Sequence, residues 1–346
     1  SKKNRLAELG LQGPVTMLAP LAAVSDIPFR VVCAEKGAQL TYVEMLNAPA
    51  VIYRNPKTMG LATRYPSEAR VGVQVTAGTA AELGHAVAIL DALPFEAIDI
   101  NMGCPVRKVV NAGCGSAIMR DPEAVRAFTR AARAATAKPL SVKIRLGWDL
   151  DSINVGEVAA AVEDGGADWL TIHGRTRSQT YADPVNLDLI ARAKSLVNIP
   201  VIANGGIFNV VDADRVLRAT RADGIMVSRG ALGNPWVFSN IRERRETVTL
   251  DDWRHTVLRH LHLQREVYGT SAGAAICMRK HLLWYLKDWP GVRIARERIN
   301  TCASLAAAEE IIQEFVEALA QRGVREKPIS TESNSSFLWD PKYEMD

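Results

Sequence analysis

Along the first two-thirds of the chain, short apolar runs alternate with longer segments whose apolar positions recur every three or four residues. The short runs are TMLAPL (16–21), LTYVEML (40–46), VGVQVTA (71–77), AIDINMG (97–103), LSVKIRLG (140–147), WLTIHGR (169–175), PVIANGG (200–206) and GIMVSRG (224–230). Most are nearly unbroken in apolar residues, as strands buried on both faces must be. Between them lie helix-patterned segments such as AAELGHAVAILDAL (80–93), DPEAVRAFTRAARAAT (121–136) and INVGEVAAAVEDGGA (153–167). Eight strands alternating with helices over about 215 residues predict an α/β fold, a (β/α)8 TIM barrel. A doubly wound open sheet is the competing arrangement.

The polar exceptions to this pattern favour the barrel. Gln74, Asn101, Lys143, His173, Asn204 and Arg229 all fall at or near the C-terminal end of a strand. A barrel gathers those ends on one face, where its active site forms. Any one of these residues alone would pass for a satisfied structural group; six in equivalent places read as a site.

After about residue 240 the period changes. DDWRHTVLRHLHLQREVYG (251–269), GAAICMRKHLLWYLKDW (273–289) and LAAAEEIIQEFVEALAQRG (305–323) are amphipathic helices by pattern. The expected layout is an N-terminal extension (1–13), the barrel (14–245), a smaller C-terminal helical domain (246–325) and a flexible tail (326–346). Within the helical part, Arg279, Lys280, Lys287, Arg293, Arg296 and Arg298 outnumber Asp288 and Glu297, with His281, Trp284, Tyr285 and Trp289 interleaved. Cations beside aromatic rings suit a nucleic-acid surface. The alternative is a solvated helix face whose rings belong to the core. In the tail, Phe337 to Trp339 are apolar enough to dock somewhere on the protein.

Composition narrows the class. Of the 346 residues, 48% are hydrophobic and 23% charged, the balance of an ordinary globular protein. No apolar run is long enough for a membrane helix and the first residues lack the apolar core of a signal peptide. Five cysteines, an odd number scattered along the chain, do not form a disulfide framework, so a reducing cytoplasm is the expected home. The net charge of +4 implies no polyanionic partner by itself. No membrane association or obligate protein partner is expected.

Glycine turns give the first chemistry. IANGGI (202–207) follows the seventh strand and SRGALGNPW (228–236) the eighth. Bare backbone amides there commonly hold a phosphate, and Arg229 adds a fork of donors. With Lys143 and His173 in the same mouth, flavin mononucleotide (FMN) would use all of these groups together. The stretch INMGCPVRKVVNAGCGSAI (100–118) adds two thiols. Cys104 and Cys114 have no companion spacing for zinc, so no metal site is expected, and a disulfide is disfavoured by compartment. That leaves Cys104, just past the fourth strand, as an acid or a nucleophile. An ordinary thiol titrates near 8.5 and so keeps a proton at neutral pH that a carboxyl would have lost.

Together MLAPLAAVSDIPFR (17–30), INMGCPVRKVVNAGCGSAIMRDP (100–122), VKIRLGWD (142–149), TIHGRTR (171–177), VIANGGI (201–207) and RGALGNPWVF (229–238) closely resemble the tRNA-dihydrouridine synthases, in particular the bacterial B-type subgroup. MRKHLLWYLKDWPG (278–291) resembles that subgroup's helical RNA-binding domain. The likeness runs from about residue 14 to 322.

The resemblance implies bound FMN, NADPH as electron donor and a tRNA uridine flipped into the barrel mouth. It implies Cys104 as the acid that protonates C5 and Asn101 as a contact to the uracil edge. Lys143 and Gln74 would lie by the flavin ring, above the backbone of Ala19 and Pro20. His173, Asn204, Gly206, Arg229 and Gly230 would surround the ribityl chain and phosphate. Arg175 and Arg177 at the mouth, and Arg279 and Lys280 on the helical domain, would meet RNA.

The chain also departs from the family pattern. Cys114 and Ser116 stand where small non-thiol residues are expected. Gly206 replaces a common acid and Ser228 a common glycine. Three other functions remain open at this level: a flavin barrel acting on a free small molecule, a non-enzymatic RNA-binding protein, and the same chemistry on ribosomal RNA.

Overall fold

The structure is a computed structural model, and it describes residues 5–329. Nine parallel strands form one sheet: β1 (Val15–Leu18), β2 (Thr41–Tyr42), β3 (Leu46–Asn47), β4 (Val71–Thr76), β5 (Ala97–Asn101), β6 (Leu140–Ile144), β7 (Trp169–His173), β8 (Val201–Asn204) and β9 (Gly224–Val227). They pair in the order β1-β9-β8-β7-β6-β5-β4-β2, and β3 also pairs with β4. The β2 and β3 segments therefore make a single interrupted barrel stave, and all eight expected staves are present. Closure comes from the Met17–Leu40 bridge, with Leu18 N donating to Leu40 O at 3.0 Å and Gln39 N to Thr16 O at 2.8 Å. The open-sheet alternative is thereby ruled out. Tight staves need small residues where backbones meet, and a Cβ on Gly224 would stand 2.4 Å from Val15 O.

The strands are apolar because both faces are covered; all six residues of β4 are buried. Met17, Leu40, Tyr42, Trp169, Ile202 and Met226 fill the barrel interior. The expected N-terminal extension belongs to this core: Leu6, in the helical turn Arg5–Glu8, and Leu11 pack into it. The three helices read from the sequence appear as Ala80–Asp91, Pro122–Ala135 and Val155–Gly165. Thr79 and Asp121 cap the first two through side-chain oxygens.

Four helices make the C-terminal domain: Leu250–Tyr268, Ala272–Tyr285, Arg293–Thr301 and Leu305–Gln321. Trp253 packs edge-on against Trp289 and Phe315, with ring centroids 5.6 and 6.1 Å apart. The helix Arg293–Thr301 escaped the sequence pattern because it buries only Ala295 and Ile299. Strand β10 (Thr247–Thr249) pairs antiparallel with β11 (Glu326–Pro328), so the segment expected to be a free tail starts as a strand. Phe337 to Trp339 lie outside the described residues.

The domain is rooted on the helix Ile27–Glu35 that follows β1. Arg259 pairs with Glu35 at 2.9 Å, Lys36 pairs with Asp252, and Leu263 packs on Val31 and Val32. On the barrel side, Arg30 and Glu68 form a fully buried ion pair at 2.8 Å. Arg30 also donates to the carbonyls of Ser25 and Thr63, which gives its remaining donors partners out of water.

Candidate active site

In a strand, residues two apart share a face, so Asp99 and Asn101 both project into the barrel. A hydrogen-bond relay follows from this. Ser141 Oγ donates to Asp99 Oδ1 at 2.5 Å, Gln74 Nε2 to Asp99 Oδ2 at 2.7 Å, and Asn101 Nδ2 to Gln74 Oε1 at 2.9 Å. Asn101 Oδ1 then accepts from the backbone amides of Gly103 and Cys104 at 3.1 and 2.9 Å. The turn carrying Cys104 is thus built on a side-chain scaffold inside the barrel. Ser116 completes it from the far end of the loop, its amide and hydroxyl both donating to the Cys104 carbonyl at 3.1 and 2.8 Å. Asn101 and Ser116, at the two ends of the loop, hold the Cys104 main chain in place.

Beside this turn lies a concentration of positive charge. Lys143 and Arg145, again two apart on one face, join Arg175 and Arg229 around His173. Arg145 is buried; its Nε donates to Gly103 O at 2.8 Å and its Nη1 to Thr176 O at 2.9 Å, tying the β5 turn to the β7 loop. Burial, with Arg145 adding, lowers Lys143 to about 8, against the opposing pull of Asp99. Burial and the cations Arg145, Lys143, Arg175 and Arg229 hold His173 well below 6.5, so its imidazole is neutral. Arg175 Nη1 lies 3.3 Å from His173 Nε2, which must then accept. Asp99 is the acid at the floor, and burial pushes it up to about 6. So many cations in one cleft suit an anionic ligand.

The phosphate end is shaped by backbone. A Cβ on Gly230 would sit 2.0 Å from Ile207 O, so only glycine lets the two glycine turns approach. Ser228 takes a hydrogen bond from Asn204 Nδ2 at 3.0 Å; the same group donates to Met226 O at 2.7 Å. Tyr181 closes this end, its ring 3.7 Å from the Arg229 guanidinium carbon. Ala19, Pro20, Gln74, Lys143, His173, Asn204, Gly206, Arg229 and Gly230 all line one cavity, and Cys104 and Asn101 line it too.

The family model for dihydrouridine synthase (Dus) matches residues 17–322, nearly the whole of the described chain. The chain belongs to that family. The tRNA-dihydrouridine synthase B of Pseudomonas syringae pv. tomato is 36% identical over 314 residues, covering 88% of this chain and 93% of its own. A probable tRNA-dihydrouridine synthase 1 of Synechocystis is 34% identical over 91% of this chain and 90% of its own. Among solved structures, 2-naphthoyl-CoA reductase in complex with 2-naphthoyl-CoA is 10% identical with a TM-score of 0.51, covering 68% of this chain and 50% of that one. That likeness is one of fold.

As a member of the Dus family the protein is an oxidoreductase on a (β/α)8 barrel, and its motif residues fall into three places. The first is the cavity. Arg175, expected at the mouth, is buried in the cavity wall, its Nε on Asp183 O at 2.8 Å and its Nη2 on Tyr181 O at 3.2 Å. The second is the rim, where Arg177 stacks on Trp148 at 4.7 Å and Arg120 reaches the same ring at 4.8 Å. The third is the helical domain. There Arg279 donates to Cys302 O at 2.9 Å and Lys280 reaches Ala23 O, so both hold the domain together or to the barrel. His281, Trp284, Tyr285 and Trp289 are all buried, so the interleaved rings are core residues rather than an exposed stacking face.

Two contributors, Asp99 and Arg145, were not singled out from the sequence, and Ser116 was noted there only as a departure from the family pattern. Asp99 and Arg145 could have been found, because each sits two residues from a residue already picked and so shares its face. Ser116 gave no such signal, since it meets Cys104 across a loop. Cys114 lies apart from the cavity lining, with its Sγ 3.5 Å from Ala112 O and its pKa raised by burial.

Proposed function

We propose that the protein reduces the C5=C6 bond of a uridine in tRNA, with FMN in the barrel mouth, NADPH as electron donor and Cys104 as the acid. The observation that carries this reading is that Cys104 shares one cavity with a cationic cluster, a neutral buried imidazole and a glycine turn that a single methyl group would block. The donor set fits FMN. Arg229 and the glycine-turn amides suit a phosphate, and Lys143 suits a flavin ring that is anionic when reduced. Bound and reduced, FMN supplies hydride for C6 of the uracil.

The chain's own residues supply the rest. Hydride at C6 drives charge onto C5 and the conjugated C4 oxygen. The Cys104 thiol gives its proton to C5, and solvent then reprotonates the thiolate. Asn101, with Oδ1 and one Nδ2 hydrogen already committed, has one Nδ2 hydrogen left for a uracil carbonyl. The base must leave its stack to reach this depth, which requires a second domain to grip the RNA. A reducing cytoplasm agrees with five free cysteines, one of them exposed. Among the described residues no helix is long and apolar enough to cross a membrane.

The test is anaerobic. Purified protein should be yellow, bleach with NADPH, and regain colour with unmodified tRNA. A reduced flavin that ignores tRNA would overturn the substrate, and a protein left colourless by added FMN would overturn the cofactor.

Two further results are expected. Lys143 is charged below about 8 and neutral above it, and an anion helps keep it charged. The preference for reduced over oxidised flavin should therefore weaken as pH rises through about 8, read as a steeper fall of the bound flavin's midpoint potential than free flavin shows; a slope like that of free flavin between pH 7 and 9 would place Lys143 away from the reduced ring's charge. On the helical domain, Arg293 is largely exposed and Lys287 partly so. Lys287→Glu with Arg293→Glu should weaken tRNA binding and reduce its salt slope by about one per lost phosphate contact, with flavin content unchanged. An unaltered slope would place RNA on another face.

A further inference from the structure

Where the turn after β1 meets the helical domain, three metal-ligand side chains converge from three separate elements. Asp26 caps the helix Ile27–Glu35, accepting from Phe29 N at 3.2 Å. His260 comes from the first C-terminal helix and His281 from the second. One ligand atom from each lies within 4.8 Å of the other two. The histidines are 0% and 2% exposed, and His260 Nε2 and His281 Nδ1 have no hydrogen-bond partner. Two orphaned ring nitrogens out of water, on side chains that converge beside a carboxylate, are costly unless something binds them.

We propose that Asp26, His260 and His281 form a divalent metal site, best matched to zinc, that pins the helical domain to the barrel. This inference is independent of the reaction proposed above. Two imidazoles and a carboxylate are zinc donors, and three protein ligands leave one position for water. Tetrahedral zinc needs its ligand atoms about 3.4 Å apart. Asp26, the one partly exposed member, has the freedom to close the gap.

The surroundings resemble a ligand shell. Tyr285 Oη lies 3.0 Å from His260 Nδ1, which fixes that ring and leaves Nε2 as its only nitrogen for a metal. Phe29 and Trp284 wall the site, with ring centroids 5.3 and 5.1 Å from that of His281. The nearby cations are engaged elsewhere: Arg30 by Glu68, and Lys280 by the Ala23 carbonyl. Glu44, which accepts from Ala23 N, adds negative charge nearby.

The test uses the whole flavin-loaded protein, dialysed against a chelator and then titrated with Zn2+ and separately with Co2+. One equivalent of each should bind, cobalt should give visible d–d bands, and the melting temperature should rise with zinc concentration. Asp26→Asn keeps the helix cap and the shape but removes the charge; it should bind zinc more than about 100-fold more weakly, beyond the losses typical of outer-shell changes. His281→Gln should do the same. Wild-type protein that binds no metal and melts identically with and without zinc would mean water fills the cluster, and the proposal fails. Unchanged zinc affinity in Asp26→Asn and His281→Gln would put the ion elsewhere, which also overturns it.

Discussion

Cys104→Ala should turn over uridine about 10²- to 10⁴-fold more slowly, the usual contribution of a placed general acid, while flavin content and tRNA affinity stay near those of the parent. The geometry separates the two effects. The turn is held through backbone groups, by Asn101 Oδ1 on two amides and by Ser116 on the Cys104 carbonyl. Removing the sulfur leaves all of those bonds in place. Flavin reduction by NADPH does not involve the thiol and should keep its rate, so the defect should appear only when reduced enzyme meets tRNA. Single-turnover reoxidation measures this directly. Parent-like reoxidation would remove Cys104 from the reaction, and loss of flavin would assign it a binding role instead.

Arg229→Ala should weaken FMN binding by about 10- to 100-fold, since a charge-assisted hydrogen bond is worth roughly 1.5–3 kcal/mol. Arg229 begins the short helical turn Arg229–Ala231 that follows β9, next to the glycine on which Ile207 closes. Its guanidinium lies over the Tyr181 and Phe208 rings, while Arg145 and Arg175 donate to the Gly103, Thr176, Asp183 and Tyr181 carbonyls. Equilibrium dialysis of the variant with FMN and with riboflavin distinguishes the role. A phosphate contact is lost for FMN and matters little for riboflavin; equal losses would place Arg229 on the ring instead.

The barrel was legible because strands covered on both faces must be apolar, which makes each polar strand end conspicuous. Gln74, Lys143, His173, Asn204 and Arg229 were found on that basis and line one cavity. The broken stave was not legible, because LTYVEML reads as one run whereas the chain forms two short strands there, Thr41–Tyr42 and Leu46–Asn47. In the helical domain, charge and aromaticity were visible but direction was not. Whether a tryptophan faces a core or a solvent is settled by the partner helix, and here Trp253, Trp289 and Phe315 meet one another. Asp26, His260 and His281 share no local spacing at all, since more than two hundred residues separate the first from the others.

The short segment after β1 does two jobs. Ala19 and Pro20 line the cavity, while Ala23, four residues beyond Ala19, accepts from Lys280 of the helical domain. The helical domain and the cavity floor therefore share one anchor in the chain. If the helical domain grips the RNA as proposed, its base cannot slide without also tilting the cavity floor. A change of target uridine would then have to arise on the outer face of the helices, with the span between grip and chemistry held fixed.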